Sequence, residues 1–553
     1  MDKKSVLAIV LIAALWMVYF VVFKPDKPAK KQVEKKVEKT EEVAKDTPVS
    51  GRAPAVIKAV GPAGAEKDVD VTTKRFSFTL SNRGAAITGC TYTDRNIDLI
   101  ASKNPYGAKG SLDFSLHFND DEFLNGSPLQ EVLWKQRHEG NQVTFYTTLL
   151  MGGVPVRIEK IYTFRDEGYG FHIEYRLKNY GRTPVSFPGG SFTVSPGEIL
   201  GPSLNYDNNY NRVMGVYSID GSFKKADKGG GGFLFGCGSS SGGEPLKTVA
   251  GTMNWAGIMS RYFLAIIIPE GTAGSGMVHD NRKLHGFRTG LRIAASDLAP
   301  GKEISKGFKV YLGEKNKKML ASVDASIVDA ADVSKIIEPI RNFVLWCLMT
   351  INRPIGNLGW ALVIFSILTK IVFMPLTIKS TESMKKMQQL TPKLNELKAK
   401  YKDKPDQMQK EMMKLYRENK VNPMGGCFPL LLQMPFFFAL YSALIDSIDL
   451  WRAPFILWMK DLSMPDTVFT YSGFDLNILP ILMTASTFLQ QKLTTVDTGG
   501  QQKMMMMLMP LMFIFIFWSM PSGLVLYWAL QNLFQILHQL FINYRTKRKN
   551  ATA

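Results

Sequence analysis

Lys370 lies inside an otherwise apolar stretch, Leu358 to Leu376 (LGWALVIFSILTKIVFMPL), with no acidic residue within two helical turns on its own helix. A lone cation at that depth in a bilayer costs roughly 2.5 to 3.5 kcal/mol on insertion scales, so it normally faces water, a partner or a substrate. The alternative is a snorkelling lysine, whose four-carbon stem reaches the headgroups six residues away. Ser366 lies one turn before it and Thr369 beside it. Asn532, Gln535, Gln539 and Asn543 recur at three- to four-residue spacing near the C-terminus, and Gln433 enters from a third apolar stretch. Such residues either keep water in a groove or hydrogen-bond neighbouring helices. The chemistry on offer is the pairing of a lone cation with water, a partner or a substrate.

Catalytic patterns are absent from the sequence. No G-x-x-x-x-G-K-[ST] loop provides for a nucleotide, and the six histidines show no H-E-x-x-H or other ligand spacing, so neither cofactor nor metal is expected. Gly238-Ser239-Ser240-Ser241-Gly242 formally matches G-x-S-x-G, but it sits in a Gly/Ser tract without strand or helix context. The chain reads as a non-enzyme. Of the four cysteines, Cys90 and Cys237 are placed outside the cell with a disulfide left open, and Cys347 and Cys427 are read as apolar packing.

The elements that must hold Lys370 in place follow from periodicity. Ser5 to Phe23 follows two lysines, is about long enough to span and lacks a small-x-small cleavage site, so residues 1–23 read as an uncleaved anchor. Residues 24–55 are a Lys/Glu/Pro tether. Residues 56–333 form the next domain, where from about Val69 to Leu312 the period is two: Val154, Val156, Ile158, Tyr162 and Phe164, then Phe171, Ile173, Tyr175 and Leu177, separated by turns such as Asp166-Glu167-Gly168. That pattern predicts an all-β domain of antiparallel sheets packed face to face, with Gly229 to Gly243 as a loop. Residues 334–352 predict a helix lying along the membrane surface, with Ile336, Ile340, Phe343, Val344, Cys347 and Ile351 on one face. Residues 353–544 then carry spans at Leu358 to Leu376, Phe428 to Ile448, roughly Leu476 to Leu489, Met504 to Met520 and Leu524 to Ile542.

Between Lys379 and Lys420 stand twelve basic residues against six acidic ones, and the tail 545–553 is basic, whereas Asp449 to Asp475 holds only Arg452 and Lys460. The positive-inside rule puts the lysine-rich loop and both termini in the cytoplasm and the β domain outside. Met384, Met387, Leu394, Leu397 and Tyr401, then Met408, Met412, Leu415 and Asn419, predict a helical hairpin over 379–420, with Pro392 kinking the first helix or starting a new one.

Asn422-Pro423-Met424-Gly425-Gly426-Cys427-Phe428-Pro429 before Gln433, Phe373-Met374-Pro375-Leu376-Thr377, Pro521-Ser522-Gly523-Leu524-Val525-Leu526-Tyr527, Trp255 to Pro269 and Tyr311-Leu312-Gly313 together resemble the YidC-type membrane protein insertase of the Gram-negative inner membrane. The resemblance implies a polytopic α-helical membrane protein with six spans and a five-helix insertase core, plus a periplasmic all-β supersandwich. It implies a hydrophilic groove open to cytoplasm and lipid, lined by Lys370, Ser366, Thr369, Gln433, Asn532 and Gln535, with lysine where the family usually has arginine. It further implies a client slide of Met434, Phe437, Ile516, Phe517, Tyr527 and Trp528, with Met504 to Met512 adaptable beside it. The implied partners are nascent membrane proteins, the Sec translocon, the ribosome and signal recognition pathway through the basic loop and tail, and membrane lipids, with no specific nucleic-acid sequence. A secondary transporter would want inverted repeats, and none is found. A membrane-anchored sugar enzyme would rest on the β fold alone.

Overall fold

The computed structural model describes residues 57–60, 65–100, 111–198, 200–201, 213–226, 246–249, 251–271, 274–281, 286–331, 336–401, 405–419, 421, 428–471, 474–494 and 510–551. The anchor, the tether, the Gly229 to Gly243 loop with Cys237, the Asn422 to Cys427 motif, and Met504 to Met509 lie outside them. The chain forms two compact units, one ending at Asp332 and one running from Val333.

In the first unit every named strand pairing is antiparallel. A ten-stranded sheet has Gln142–Met151, Val154–Phe164, Gly170–Asn179, Glu303–Glu314, Phe263–Pro269, Met253–Met259, Met214–Ile219 and Ser222–Ala226 in that spatial order, with Ile57–Val60 and Lys135–Glu139 added beside Gln142–Met151. A five-stranded sheet contains Gly286–Ala294 between Gly276–Asn281 and Ser191–Ser195. A four-stranded sheet contains Phe76–Ser81. Phe78 of the four-stranded sheet packs its ring 4.7 Å from Phe164 and 5.6 Å from Phe171 of the ten-stranded one. Alternation makes this possible, since Val156, Ile158, Tyr162, Phe164, Phe171, Ile173, Tyr175 and Leu177 all turn inward and are buried. Cys90 is a buried free thiol there, and burial pushes its pKa up.

The same parity carries a lysine inward. Lys160 is buried; its Nζ donates to the Ala85 carbonyl at 2.8 Å and to the Asp113 carbonyl, and it lies 5.2 Å from the Tyr162 ring centroid. Tyr162 also donates to the Ala85 carbonyl, and Tyr175 to that of Phe114. Ala85 (φ +49°) and Phe114 (φ +41°) are left-handed non-glycine residues, so this cluster holds two backbone positions that are costly by themselves. Burial lowers Lys160 from 10.5 to about 7. The folded state thus binds this proton less readily than the unfolded chain. The destabilisation is complete below about pH 7 and is relieved as pH rises toward 10.5. Relative to Lys160→Met, the wild-type unit should gain stability with pH in that window, by up to about 1.4 kcal/mol per pH unit. Hydrogen exchange of strand Val154–Phe164 in the full-length protein measures it, and parallel pH profiles for the two proteins would refute it.

In the second unit the helices are α1 (Glu338–Ile355), α2 (Leu358–Lys400), α3 (Pro405–Glu418), α4 (Phe428–Asp446), α5 (Ile478–Thr494), α6 (510–517) and α7 (Ser522–Ala551). Among the described residues one stretch, Leu358–Ser383 of α2, is long and apolar enough by itself to cross a membrane. Helix α1 starts four residues after the expected 334, runs three past 352, and ends at left-handed Gly356 (φ +70°). Its apolar residues are split: Val344 and Leu348 are buried in the bundle, whereas Ile336, just before the helix, and Phe343 and Trp346 are exposed. The expected single apolar face is therefore two, one for protein and one left outward.

Of the two alternatives expected at Pro392, a new helix does not start there: α2 runs 43 residues through Pro375 and Pro392. A proline removes one backbone bond, but Leu390 and Leu394, packed on either side of Pro392, hold the helix there. Leu390 and Leu394 of α2 form a small core with Val421, against Met387, Met412, Leu415 and Tyr416. Helix α5 begins at Ile478, and Leu476 belongs instead to the strand Phe474–Asn477 paired with Thr467–Tyr471. The Asp466 carboxylate accepts from the Leu479 N–H at 2.6 Å and marks that start. Helix α7 continues past Ile542 through the basic tail, which is helical to Ala551.

The segment 448–477 ties three helix starts together. Phe455 packs 5.4 Å from Trp360 at the start of α2, and a Cβ on Gly359 would come within 2.1 Å of the Phe455 ring. The Ser522 and Gly523 N–H groups at the start of α7 donate to the carbonyls of Met464 and Leu462. Helices α2, α5 and α7 therefore start at one end of the bundle.

Candidate functional site

Helix spacing explains how the polar residues meet. Thr369 and Lys370 lie three and four residues after Ser366 on α2, both on its side of the helix; Gln531 and Gln535 are likewise four apart on α7. The Lys370 Nζ donates to the Gln535 Oε1 at 2.7 Å. The Gln531 Nε2 donates to the Ser366 carbonyl at 3.0 Å and to the Thr369 Oγ1 at 3.1 Å. The Thr369 hydroxyl in turn donates to the Ser366 carbonyl at 2.9 Å, and the Ser366 hydroxyl to that of Leu362 at 2.7 Å. This is a polar seam between α2 and α7.

Within it Lys370 is half-buried and, among the described residues, has an amide oxygen as partner and no ion pair. An ammonium has three N–H donors and Gln535 takes one. The other two, and the whole charge, can meet an incoming carboxylate or carbonyl. The seam's remaining groups already bond to one another, so they hold the lysine's surroundings in place rather than compete for a ligand.

Two expected groove residues lie elsewhere. Asn532 donates to Ser486 (3.2 Å) and Thr487 (2.8 Å) of α5, because its place one residue after Gln531 turns it toward a different helix. Gln433 of α4 donates to the Tyr527 hydroxyl at 3.2 Å, bracing α4 on α7. Gln531, which joins the seam most directly, was not among the expected groove residues. Its spacing of four from Gln535 was the available signal.

The six expected slide residues differ in exposure. Phe437, Phe517 and Tyr527 are buried, and Met434, Ile516 and Trp528 are half-buried. Phe437 meets Trp528 at 5.3 Å and Phe517 at 6.0 Å, while Phe517 meets Trp528 at 5.6 Å. Three aromatic rings bury more apolar area against each other than any could facing outward alone, so they pack the junction of α4, α6 and α7. The outward apolar positions on α6 are Leu511, Met512 and Phe515.

Two family models match the chain: 60Kd inner membrane protein over residues 350–550, and the YidC periplasmic domain over residues 68–338. The membrane protein insertase YidC of Syntrophus aciditrophicus is 30% identical over 569 residues, covering 98% of this chain and 99% of that protein. The membrane protein insertase YidC of Leptospira interrogans is 31% identical over 612 residues, covering 98% and 97%. A crystal structure described as an active YidC insertase with the first transmembrane domain resolved aligns over 88% of this chain and 94% of its own, at 18% identity and a TM-score of 0.35. With a helical unit and a β unit each matched by its own family model, and relatives matched from end to end, the chain belongs to the YidC family of membrane protein insertases.

Proposed function

We propose that this chain inserts integral membrane proteins into the bacterial inner membrane by receiving a client's polar extracellular segment at Lys370. The observation that carries this reading is a cation on an apolar helix whose partner is an amide oxygen and not a carboxylate. A neutral partner solvates the ammonium without cancelling its charge, which leaves it able to pair with an acidic client segment. Pairing part-way across shortens the apolar distance that segment must travel. The client's ~20 apolar residues then enter lipid, and their burial drives the step without nucleotide.

In this reading the chain has six spans, counting the anchor 1–23. The core 353–544 forms the path, 56–333 is a periplasmic supersandwich and 334–352 braces the core at the membrane surface. Both termini and the hairpin 379–420 are cytoplasmic. The Sec translocon and the ribosome are proposed partners, engaged by the core and by the basic hairpin and tail. The outward residues Met512 and Phe515 of α6, next to the Phe437, Phe517 and Trp528 cluster, are proposed to meet the client's apolar segment.

Purified full-length protein in liposomes, offered a short single-span client with an acidic extracellular segment, tests the proposal. Insertion should exceed that of protein-free vesicles by about tenfold or more, the factor of a contact worth about 1.4 kcal/mol. Equal insertion would refute it. A variant joining Met1 to Phe23 through a short tether to residues from Asp332 onward should insert the same client, because the seam and hairpin lie wholly in the second unit. Loss of insertion with the helices still protease-resistant would mean that the β unit shapes the client path.

A further inference from the structure

We infer that the two-stranded hairpin formed by Thr467–Tyr471 and Phe474–Asn477 is a lipid-contacting finger, lying in the headgroup–acyl boundary at the end of the bundle where α2, α5 and α7 start. This rests on the chain residing in a membrane but not on how it moves clients.

The register divides the hairpin into two unlike faces. Phe469 pairs with Leu476 and Tyr471 with Phe474, which places four large apolar side chains on one face. Thr470 pairs with Asp475 and Thr467 with Asn477 on the other, and each of these pairs is hydrogen-bonded, at 2.6 and 2.8 Å. The register shift between Thr467 and Phe469 leaves Val468 as the extra residue, and it too is exposed. The polar face is satisfied by these pairs and by the Asn477 amide, which donates to the Trp518 carbonyl. The aromatic face is not covered: Phe469 is 55% exposed, Tyr471 77% and Phe474 58%, with Trp518 touching Phe474 at 5.4 Å.

A two-stranded hairpin is marginal in water unless its apolar face is packed. Lipid is the cover the surroundings favour, because the hairpin runs without a break into α5, whose outward side chains include Ile481, Leu482, Phe488 and Leu489. The apolar surface is thus continuous from helix to hairpin. Helix α5 has 17 residues, about 25 Å at 1.5 Å per residue, which falls short of a hydrocarbon core of about 30 Å. Aromatic side chains next to that helix end suit the interface, where an apolar ring and a polar edge are both accommodated.

A second feature at the same end agrees. Leu457 is 80% exposed at φ +57°, at the tip of a turn closed by the Phe455 N–H on the Met459 carbonyl at 2.9 Å, with Ile456 exposed beside it. The turn is pinned to the start of α2 through Phe455 and Trp360. A leucine side chain held outward is unfavourable in water, and an acyl boundary accommodates it. Trp458 donates to Asp466 at 3.0 Å, which fixes the turn to the first strand's approach. Hairpin and turn together would draw the outer boundary toward the short end of α5 and thin the bilayer there.

The test uses full-length protein, with its native cysteines replaced, in vesicles of phosphatidylcholine and phosphatidylglycerol without any client. A fluorophore on Tyr471→Cys should be quenched about threefold more by lipids brominated high on the acyl chain than one on Thr470→Cys, and iodide should show the reverse preference. Phe469→Asp with Phe474→Asp should abolish that difference while the protease resistance of the helical unit is kept. Equal iodide access at 470 and 471 would overturn the inference. So would shielding of 471 that arises only when a second membrane protein is added, which would make the face a protein-docking surface. Client insertion is not part of the measurement, so failure here leaves the insertase reading standing, and the converse holds.

Discussion

Lys370→Ala is expected to slow insertion of clients with acidic extracellular segments by about tenfold to a hundredfold, the range of a charge-assisted hydrogen bond worth about 1.5 to 3 kcal/mol. Lys370→Arg should retain most of the activity. Both side chains carry the charge, and arginine's planar fork can still give one N–H to Gln535 while facing the client with the rest. Clients with uncharged extracellular segments should be affected much less. Gln535→Leu separates the two roles of the seam, because it removes the amide oxygen but leaves the cation. An ammonium without that oxygen is expected to snorkel toward the headgroups, so this variant should lose activity on acidic clients although its charge is intact. Insertion rates in vesicles for matched acidic and neutral clients decide the matter. If Lys370→Ala inserts acidic clients at the wild-type rate, the pairing proposal is wrong for this protein.

Removing Lys393 to Met413 should abolish insertion outright while leaving the membrane part of the protein folded. The deletion takes the end of α2 and most of α3, including Leu394 and Met412 of the small core that holds the two helices together. It leaves Leu358–Ser383, the Gln531 and Gln535 contacts and the Phe437, Phe517 and Trp528 cluster untouched. A solvated charged loop has no reason to bury leucines, so its packed core points to a built platform, proposed here to receive clients or their targeting factors. Growth of a strain dependent on this protein, together with vesicle insertion, reads the outcome. Normal growth and insertion would return the loop to a purely topological role.

Much of the architecture was legible in the chain because it depends on local periodicity. Period-two alternation from Val154 to Leu177 marked the strands, and the change to helical spacing near Ile336 marked the second unit. Paired hydrophobic positions such as Leu394 and Leu415 marked the hairpin before its packing was seen. The lone charge of Lys370 is likewise a property of composition, since no neighbour in sequence can cancel it. The seam's membership was only partly legible. Spacing identifies which residues share a helix face, but not the direction in which that face points, and this is why Asn532 was grouped with Gln535 although it bonds to α5.

Tertiary structure decided whatever depends on a partner far away in the chain. Lys160 follows the inward parity of its strand, yet a buried lysine is tolerated only because the carbonyls of Ala85 and Asp113 arrive from about 50 to 75 residues away to accept hydrogen bonds from its Nζ. Phe437 and Phe517 look lipid-facing on isolated spans and become interior only once α4, α6 and α7 come together. Leu476 has the composition of a helix start and is drawn into a strand by pairing with Phe469. Local sequence sets which surfaces are apolar and which groups are charged, because those properties belong to single side chains. Which surfaces are covered, and which groups are satisfied, belongs to pairs of side chains and is fixed only when the fold brings them together.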